Sequence, residues 1–382
     1  MTQKKFVFHI REYNDCDHFS PIIWKLLSVG HEVIIVPYYN FNFHDDFRIN
    51  YLLKNFRNLK ILKLSKIYIH KSTRFFMIIS KFDFNNILVK SLFRFLNWPF
   101  KIFEKSLFSK DTVLIWDWGN PGRLSHFEGL IYNLKTIVIP HGIDIFLERY
   151  LDEYPDFSDR NIYDTYILNS EKQKAFASQK LKMDLNKLKV MGCPRFTKEW
   201  ILKSLSFTDE FIFGDENKQK VLYFVPHADH GPKNNLIERL IKEISYLPGI
   251  SFVVKMSTRQ KNILVPKSVS HLENLDHVHF DFDTPSTNLI YWSDIVINHG
   301  SSIVFDALQL GKTVIHANYL DELSSIFDDG DSTLLANDLG EVIKIIKALP
   351  HNAVEPKKII EEQVFNNKDI SPLDDYYNLL TS

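Results

Sequence analysis

A turn in the second half of the chain carries the densest group of residues suited to binding a phosphate group. Four residues lie between a strand-like run and a helix-like run: His299, Gly300, Ser301 and Ser302. Glycine lets a ligand approach the backbone, the serine hydroxyls can donate hydrogen bonds, and the free amides at a helix start form a partly positive site. The sequence therefore predicts that this turn binds the phosphates of an activated donor.

Two further residues in this half stand where they can complete a donor site. Asp306 lies about one helical turn beyond the serines, so its carboxylate can accept hydrogen bonds from ribose hydroxyls. A serine N-cap beside a surface carboxylate is the alternative interpretation. His227 also follows a strand-like run, and with Asp229 and His230 it has the residue types of a metal site. Hydrogen bonding within the loop and contact with the donor are the alternatives there, and no metal site is predicted.

The first half carries polar residues at the ends of strand-like runs. His141 and Asp117 each follow such a run, and Asp17 and His18 open the helix-like run over residues 19–29. Open α/β sheets bind ligands at the edge where the carboxyl ends of their strands meet. An imidazole with a reference pKa of about 6.5 can accept a proton at neutral pH, and so can a desolvated carboxylate. His141 is the first candidate base and Asp117 the second, while a structural role is the alternative for the histidine.

Strands and helices must alternate to position these residues. In the first half, strand-like residues 6–10 and 32–36 enclose the helix-like run over residues 19–29. The second half alternates in the same way from residue 221 to residue 315. Such βαβ units build parallel sheets. The sequence predicts an α/β fold with two facing Rossmann-like domains and a cleft between them.

Length and composition set the domain count. The chain has 382 residues, of which 45% are hydrophobic and 24% charged, so it is long enough for two domains that each bury a core. Residues 196–220 mix polar and apolar types around a glycine turn, as a hinge does. We predict an acceptor domain over residues 1–200 and a donor domain over residues 201–382, whose last helix, near residues 373–380, is expected to cross back over the hinge.

Charge and cysteine content limit the partners. The net charge is −1, which gives no overall attraction to nucleic acid, and Cys16 and Cys193 are too far apart in sequence to suggest a disulfide framework or a zinc site. No secretory signal and no uncharged run of about 18 residues is seen, so a cytoplasmic location is expected. Residues 60–105 mix basic and aromatic side chains. They are typical either of helices packed on the sheet or of docking on the cytoplasmic face of the inner membrane.

The second half resembles the donor-binding domain of GT-B glycosyltransferases, in which a helix with an acidic residue is followed by Gly-x-x-Val-Ile. Asp306 and residues 311–315 match that pattern. Residues 294–297 and the Ser301–Ser302 pair are also similar to those of CDP-glycerol-type polyol phosphotransferases. Three upstream segments resemble the same phosphotransferases in the same order: residues 140–142, 169–170 and 192–195.

The resemblance implies roles for two residues. It makes His141 the catalytic base and places Lys255, at the end of a strand-like run, against the donor phosphates. The sequence has no Walker-type phosphate loop, no Gly-x-Ser-x-Gly elbow and no metal-binding Asp-x-Asp placed between strands as in the other main glycosyltransferase fold. Metal-independent transfer without a cofactor is therefore expected, with the nucleotide-activated donor as a substrate. The chain departs from the phosphotransferase pattern at Ile143–Asp144 and at residues 298–300. These departures argue against a polyol phosphate as the transferred group.

The sequence therefore predicts a glycosyltransferase that moves a sugar from a nucleotide sugar to a capsule, lipopolysaccharide or other surface polysaccharide acceptor, with a glycan or lipid-linked partner. CDP-glycerol-type phosphotransfer is one alternative. A nucleotide-sugar epimerase is another, since that enzyme shares the architecture and needs no acceptor. A binding or scaffolding subunit that keeps the fold without turnover is the third.

Overall fold

Strands and helices alternate along the chain in a computed structural model of the protein. The structure describes residues 3–37, 46–62, 109–117, 134–140, 142–143, 145–146, 163–180, 182–226, 233–256, 265–320, 322–328, 330–348 and 357–382. For Asp117, which ends a strand, the backbone alone is described. His141 and His227 lie outside the described residues.

Two parallel sheets organise the described residues. The first has the order β3-β2-β1-β4-β5-β6-β7 and the second the order β10-β9-β8-β11-β12-β13. The strands of the first sheet are β1 Lys5–Ile10, β2 Glu32–Pro37, β3 Leu59–Ile61, β4 Thr112–Asp117, β5 Lys135–Ile139, β6 Thr165–Leu168 and β7 Leu188–Val190. Those of the second are β8 Gln219–Phe224, β9 Ile250–Lys255, β10 Val278–Asp281, β11 Ile295–Asn298, β12 Thr313–Ala317 and β13 Leu334–Ala336.

Helices connect these strands. They are α1 Tyr13–Ser28, α2 Phe47–Asn55, α3 Glu171–Gln179, α4 Lys198–Ser204, α5 Asn234–Ser245, α6 Ser286–Trp292, α7 Val304–Gln309, α8 Leu339–Ala348, α9 Lys357–Ile359 and α10 Pro372–Thr381. A π-helix over Ile360–Val364 continues α9. Short 3₁₀ turns lie at Leu185–Lys187, Pro194–Phe196, Leu205–Phe207, Ser270–Asn274 and Asn318–Leu320.

The chain divides into two compact units, one around each sheet. The first unit comprises Met1–Gly142, Tyr154–Arg195 and Asp369–Ser382, and the second comprises Ile143–Glu153 and Phe196–Lys368. The division follows Arg195, whereas the sequence places it after Trp200. The physical reason is packing, because the ring centroid of Phe196 lies 5.3 Å from that of Phe305 and α4 packs against α7. The last helix, α10, belongs to the first unit and packs against α1.

Each sheet reverses its strand order once. The reversal falls between β1 and β4 in the first sheet and between β8 and β11 in the second. At such a point the two connections leave on opposite faces, so a crevice opens beyond the carboxyl ends of the two central strands. Asp117 ends β4 and Asn298 ends β11. The two sheets therefore present these positions where α/β folds hold ligands.

Helix α1 begins earlier than the sequence indicates. The sequence gives a helix-like run from residue 19, but the helix starts at Tyr13. A carboxylate near the helix start explains the difference, because Asp15 accepts a hydrogen bond from the Arg11 backbone N–H at 2.7 Å. Asp17 and His18 consequently lie within the first turns of a helix and not in a loop.

Apolar side chains at helical spacing anchor the helices to the sheets. In α1, Phe19, Ile22, Ile23 and Leu26 are almost fully buried, and the ring of Phe19 lies 5.6 Å from that of Phe8. In α5 the same role falls to Ile237, Leu240, Ile241 and Ile244. Burying each such side chain stabilises the fold by about 1.5–3 kcal/mol. These contacts hold the carboxyl ends of the strands in fixed positions.

Two features of the chain concern contact with a membrane: the basic aromatic segment and the length and apolar character of its helices. The basic aromatic segment predicted near residues 60–105 lies outside the described residues from residue 63 onward, and β3 ends at Ile61. Among the helices that the structure describes, none combines the length and the apolar character that a membrane span requires.

Candidate functional site

The turn after β11 is built around a glycine in the left-handed conformation. Gly300 adopts the left-handed region with a φ of 63°. A Cβ added at Gly300 would lie 2.6 Å from Cζ of Phe146, so a side chain there would displace the ring and strain the backbone. Ser301 and Ser302 are half-buried, and the Asn298 side-chain amide donates to the Ser301 carbonyl at 3.4 Å. The two serines thus follow β11 at the reversal point of the second sheet, and Ser301 Oγ accepts a hydrogen bond from the Ile303 N–H at 3.4 Å.

His299 lies behind this turn. Its side chain is 1% exposed and its ring stacks on His316, with ring centroids 5.4 Å apart and an interplanar angle of 14°. His316 is itself anchored, because its Nε2 lies 2.8 Å from Asp328 Oδ1 and 3.2 Å from Ser325 Oγ. The sequence predicted His299 as a donor contact, and the structure places it in a buried histidine stack that supports the turn.

Asp306 also lies inside the domain. Its side chain is fully buried, and its Oδ2 accepts a hydrogen bond from Thr287 Oγ1 at 3.1 Å. Thr287 belongs to α6 and Asp306 to α7, so the contact joins the two helices. The carboxylate that the sequence assigned to ribose hydroxyls therefore has a partner within the protein.

Lys255 forms a buried ion pair. It ends β9 and is the register partner of Asp281 at the end of β10, and its Nζ lies 2.6 Å from Asp281 Oδ1. Burial lowers the pKa of Lys255, and Asp281 opposes that shift. Burial alone would raise the pKa of Asp281, but a hydrogen bond from His279 and the nearby Lys255 lower it to about 2. The ammonium predicted to face donor phosphates is thus neutralised by a carboxylate.

The sheet order also separates Lys255 from the serine turn. Strand β8 lies between β9 and β11, so the end of β9 stands two strand spacings, roughly 10 Å, from the end of β11. His227 follows β8, the intervening strand, but lies outside the described residues.

The first unit holds a buried charge network at the carboxyl edge of its sheet. Arg195 donates from Nε to Asp17 Oδ1 at 2.6 Å, and Arg48 donates to the same oxygen. Arg48 also pairs with Asp46 at 2.7 Å and lies over the ring of Tyr13 at 4.4 Å. Burial alone would raise the pKa of Asp17, but the two guanidiniums hold it well below its usual range. Asp17 is therefore ionised and fixed in place.

His18 lies beside this network, next to the segment that contains the predicted base. Its Nδ1 lies 3.8 Å from the Cys193 sulfur, and its Nε2 lies 4.0 Å from the position of a Cβ added at Gly142. The Asn169 side-chain amide donates to the Gly142 carbonyl oxygen. Residues from four connections of the first sheet thus meet at one edge. His141, which directly precedes Gly142, lies outside the described residues.

Sequence reasoning did not identify the partners that fix the candidate residues. Those partners are Asp46, Arg48, Asn169, Asp281, Ser325 and Asp328. Asn169 and Arg195 were noted only as parts of motifs. Strand register provides one usable signal, since Lys255 and Asp281 each end a strand of one parallel pair. The remaining partners come from distant segments and have no local signal.

Comparison with known proteins shows the fold. No protein-family model and no curated protein matches the chain. A glycosyltransferase from Rickettsia africae ESF-5 superposes with a TM-score of 0.56 at 13% identity, covering 100% of this chain and 98% of that one. UDP-GlcNAc 2-epimerase from Neisseria meningitidis, bound to UDP-GlcNAc, superposes with a TM-score of 0.58 at 14% identity over 98% of both chains. HepE from Anabaena, in complex with UDP and glucose, superposes with a TM-score of 0.55 at 11% identity. The match covers 99% of this chain and 98% of that one.

These structures share two Rossmann-like domains with the present chain. The chain has the α/β fold of the GT-B type, with parallel sheets of seven and six strands among its described residues. Glycosyltransferases and UDP-GlcNAc 2-epimerases both use this fold.

Proposed function

We propose that the chain is a glycosyltransferase that moves a sugar from a nucleotide sugar to a cell-surface polysaccharide acceptor. The observation that carries the proposal is the glycine-serine turn after β11, at the reversal point of a Rossmann-like sheet. Neighbours of the same fold hold UDP-GlcNAc or UDP and glucose. In such sheets a nucleotide lies across the reversal point, with its phosphates at the turn.

Donor binding is assigned to the serine turn. Ser301 and Ser302 are half-buried, so their hydroxyls can reach a diphosphate, while the ring of Phe146 lies beside the left-handed Gly300. Asp281 holds Lys255, so we assign phosphate contact to the serines and not to the lysine. His227 is proposed as a further donor contact on the neighbouring strand.

Transfer requires a base on the acceptor side. We propose His141, with Asp117 as the second candidate, because both follow central strands of the first sheet. The base takes the proton of the acceptor hydroxyl, whose oxygen bonds to the anomeric carbon as the bond from that carbon to the phosphate oxygen breaks. The nucleoside diphosphate leaves with the electron pair. Asp17 and His18 line the same edge, and we propose that they contact the acceptor.

An epimerase is the second candidate, and a specific observation favours it. Two UDP-GlcNAc 2-epimerase structures match at least 98% of the chain with TM-scores of 0.58 and 0.61. An epimerase changes the sugar of its donor without an acceptor. The two functions therefore differ in whether product forms from the donor alone.

The first experiment measures nucleotide binding. Wild type, the Ser301→Ala/Ser302→Ala variant and a control variant, Ser206→Ala, are heated with UDP, GDP, CDP or CMP. Ser206 is an exposed serine of the same unit and lies outside the turn. A ligand that binds the native state raises its apparent stability by mass action. We expect one nucleotide to shift wild type and Ser206→Ala alike and to lose most of its effect on the double variant. No shift with any nucleotide would contradict the proposal.

The second experiment follows the donor. Labelled sugar nucleotides of the type selected by binding are incubated with and without lipid-linked glycan acceptors. Sugar incorporated only when acceptor is present supports the transferase. Donor isomerised without acceptor indicates the epimerase, and phosphorus retained in the product indicates polyol phosphotransfer.

A further inference from the structure

The chain enters the second unit immediately after Gly142. Residues from Ile143 belong to that unit, and two backbone contacts fix them there. The Ile326 N–H donates to the Ile145 carbonyl at 2.9 Å, and Phe146 forms an antiparallel bridge with Ser325. The segment that follows the predicted base is thus attached to the 325–326 segment of the donor domain.

Phe146 also meets the serine turn directly. Its ring occupies the space beside Gly300, where an added Cβ would lie 2.6 Å from Cζ and 3.1 Å from Cε1. Gly300 holds a φ of 63°, which the absence of a side chain permits. The ring position and the conformation of the turn therefore depend on each other.

A second path joins the same two segments. Ser325, which bridges Phe146, has its Oγ 3.2 Å from His316 Nε2, and His316 stacks on His299. His299 is the residue before Gly300. The contacts thus form a closed ring from Phe146 through Ser325, His316 and His299 to Gly300 and back to Phe146. A ring of this kind has two routes by which displacement of one member reaches the others.

We propose that Phe146 is a positioning residue that couples nucleotide at the serine turn to the segment at Gly142. Only three residues separate Gly142 from Phe146, so restraining the ring also restrains Gly142. Donor binding at the serine turn then reaches Gly142 through Phe146. The role assigned to the nucleotide rests on the proposed glycosyltransferase function, whereas the coupling between the two segments does not.

The first test needs no ligand. Hydrogen exchange of the full chain is followed by mass spectrometry in wild type, Phe146→Ala and a matched control, Phe282→Ala, whose ring is exposed in the same unit. We expect Phe146→Ala to exchange roughly tenfold faster in the peptide spanning residues 298–305, while the control exchanges like wild type. Unchanged exchange in that peptide would overturn the coupling.

Two further variants keep the test decisive if Phe146→Ala does not fold. Phe146→Leu keeps an apolar side chain and should give a smaller increase in the same peptide. Gly300→Ala places a methyl group against the ring and should raise exchange at residues 142–146, and an unperturbed 142–146 peptide would contradict the coupling.

The second test adds the nucleotide that shifts wild type in the thermal panel. Protection should appear at residues 142–146 in wild type and be absent in Phe146→Ala, with nucleotide affinity by calorimetry changed less than about threefold. Nucleotide binding without protection at residues 142–146 in wild type would overturn the nucleotide role. If no nucleotide binds, the glycosyltransferase function and that role fail together, and the ligand-free comparison still decides whether Phe146 couples the segments.

Discussion

The ammonium of Lys255 lies 2.6 Å from Oδ1 of Asp281, where the neighbouring strands β9 and β10 end. Both side chains are at most 6% exposed. The backbone N–H and the hydroxyl of Thr284 also donate to the Asp281 carboxylate. A pair enclosed in this way is held by its geometry, and removal of one member leaves the other charge buried without its counter-charge.

Replacing one member of the pair should destabilise the second unit strongly. We expect Lys255→Met to lower the free energy of unfolding by about 3–5 kcal/mol, because Asp281 remains buried and charged. The double variant Lys255→Met/Asp281→Leu should recover most of that loss. Urea denaturation measures both, with Lys267→Met, an exposed lysine of the same unit, as the control. A double variant as unstable as the single one would show that packing, and not charge, accounts for the effect.

The same pair predicts a pH dependence of stability. The pKa of Asp281 is lowered from 3.8 to about 2 in the folded state, so its contribution is complete above the unfolded value and is lost as pH falls through the folded value. That contribution amounts to about 2 kcal/mol. Between about pH 4 and about pH 2, wild type should lose this much more stability than the Lys255→Met/Asp281→Leu variant. Parallel curves of unfolding free energy against pH would contradict the assignment.

Variants of Asp306 distinguish a structural role of its carboxylate from contact with a ligand. If its bond to Thr287 is its main contribution, Asp306→Ala should lower the free energy of unfolding by about 1–3 kcal/mol, since a buried hydroxyl loses its acceptor. Thr287→Val should lower the free energy of unfolding by a similar amount. Nucleotide affinity, measured by calorimetry well below the unfolding temperature, should change little. Wild-type stability with lost nucleotide binding would instead support the ribose contact that the sequence suggests.

The Asp17 network predicts an effect in the first unit. Asp17→Asn removes the negative charge that Arg195 and Arg48 share, while the pair between Arg48 and Asp46 is kept. We expect the free energy of unfolding to fall by about 1.5–3 kcal/mol, because Asp17 is partly exposed and the variant weakens its hydrogen bonds to charged groups. Asp111→Asn provides the control, because it changes the same residue type at an exposed position in that unit. Equal stability of the two variants would show that the network contributes nothing.

Most strands and several helix boundaries follow from local sequence. Residues 165–168 form β6 and residues 295–298 form β11, because buried parallel strands are short apolar runs. Ser170, a residue type favoured at helix N-caps, caps α3 by accepting from the Gln173 N–H at 3.2 Å. The α/β class with two parallel sheets is confirmed. The region predicted as a hinge contains α4, whose Trp200 is buried.

By itself, the sequence determined the order of strands and helices and the types of residue at the strand ends, because hydrophobic periodicity and capping act over a few residues. The tertiary structure decided which partner each polar side chain meets. It paired Lys255 with Asp281, buried Asp306 against Thr287 and brought Phe146 to Gly300. Such contacts join residues far apart in the chain, and they depend on strand register and helix packing, which no local pattern encodes.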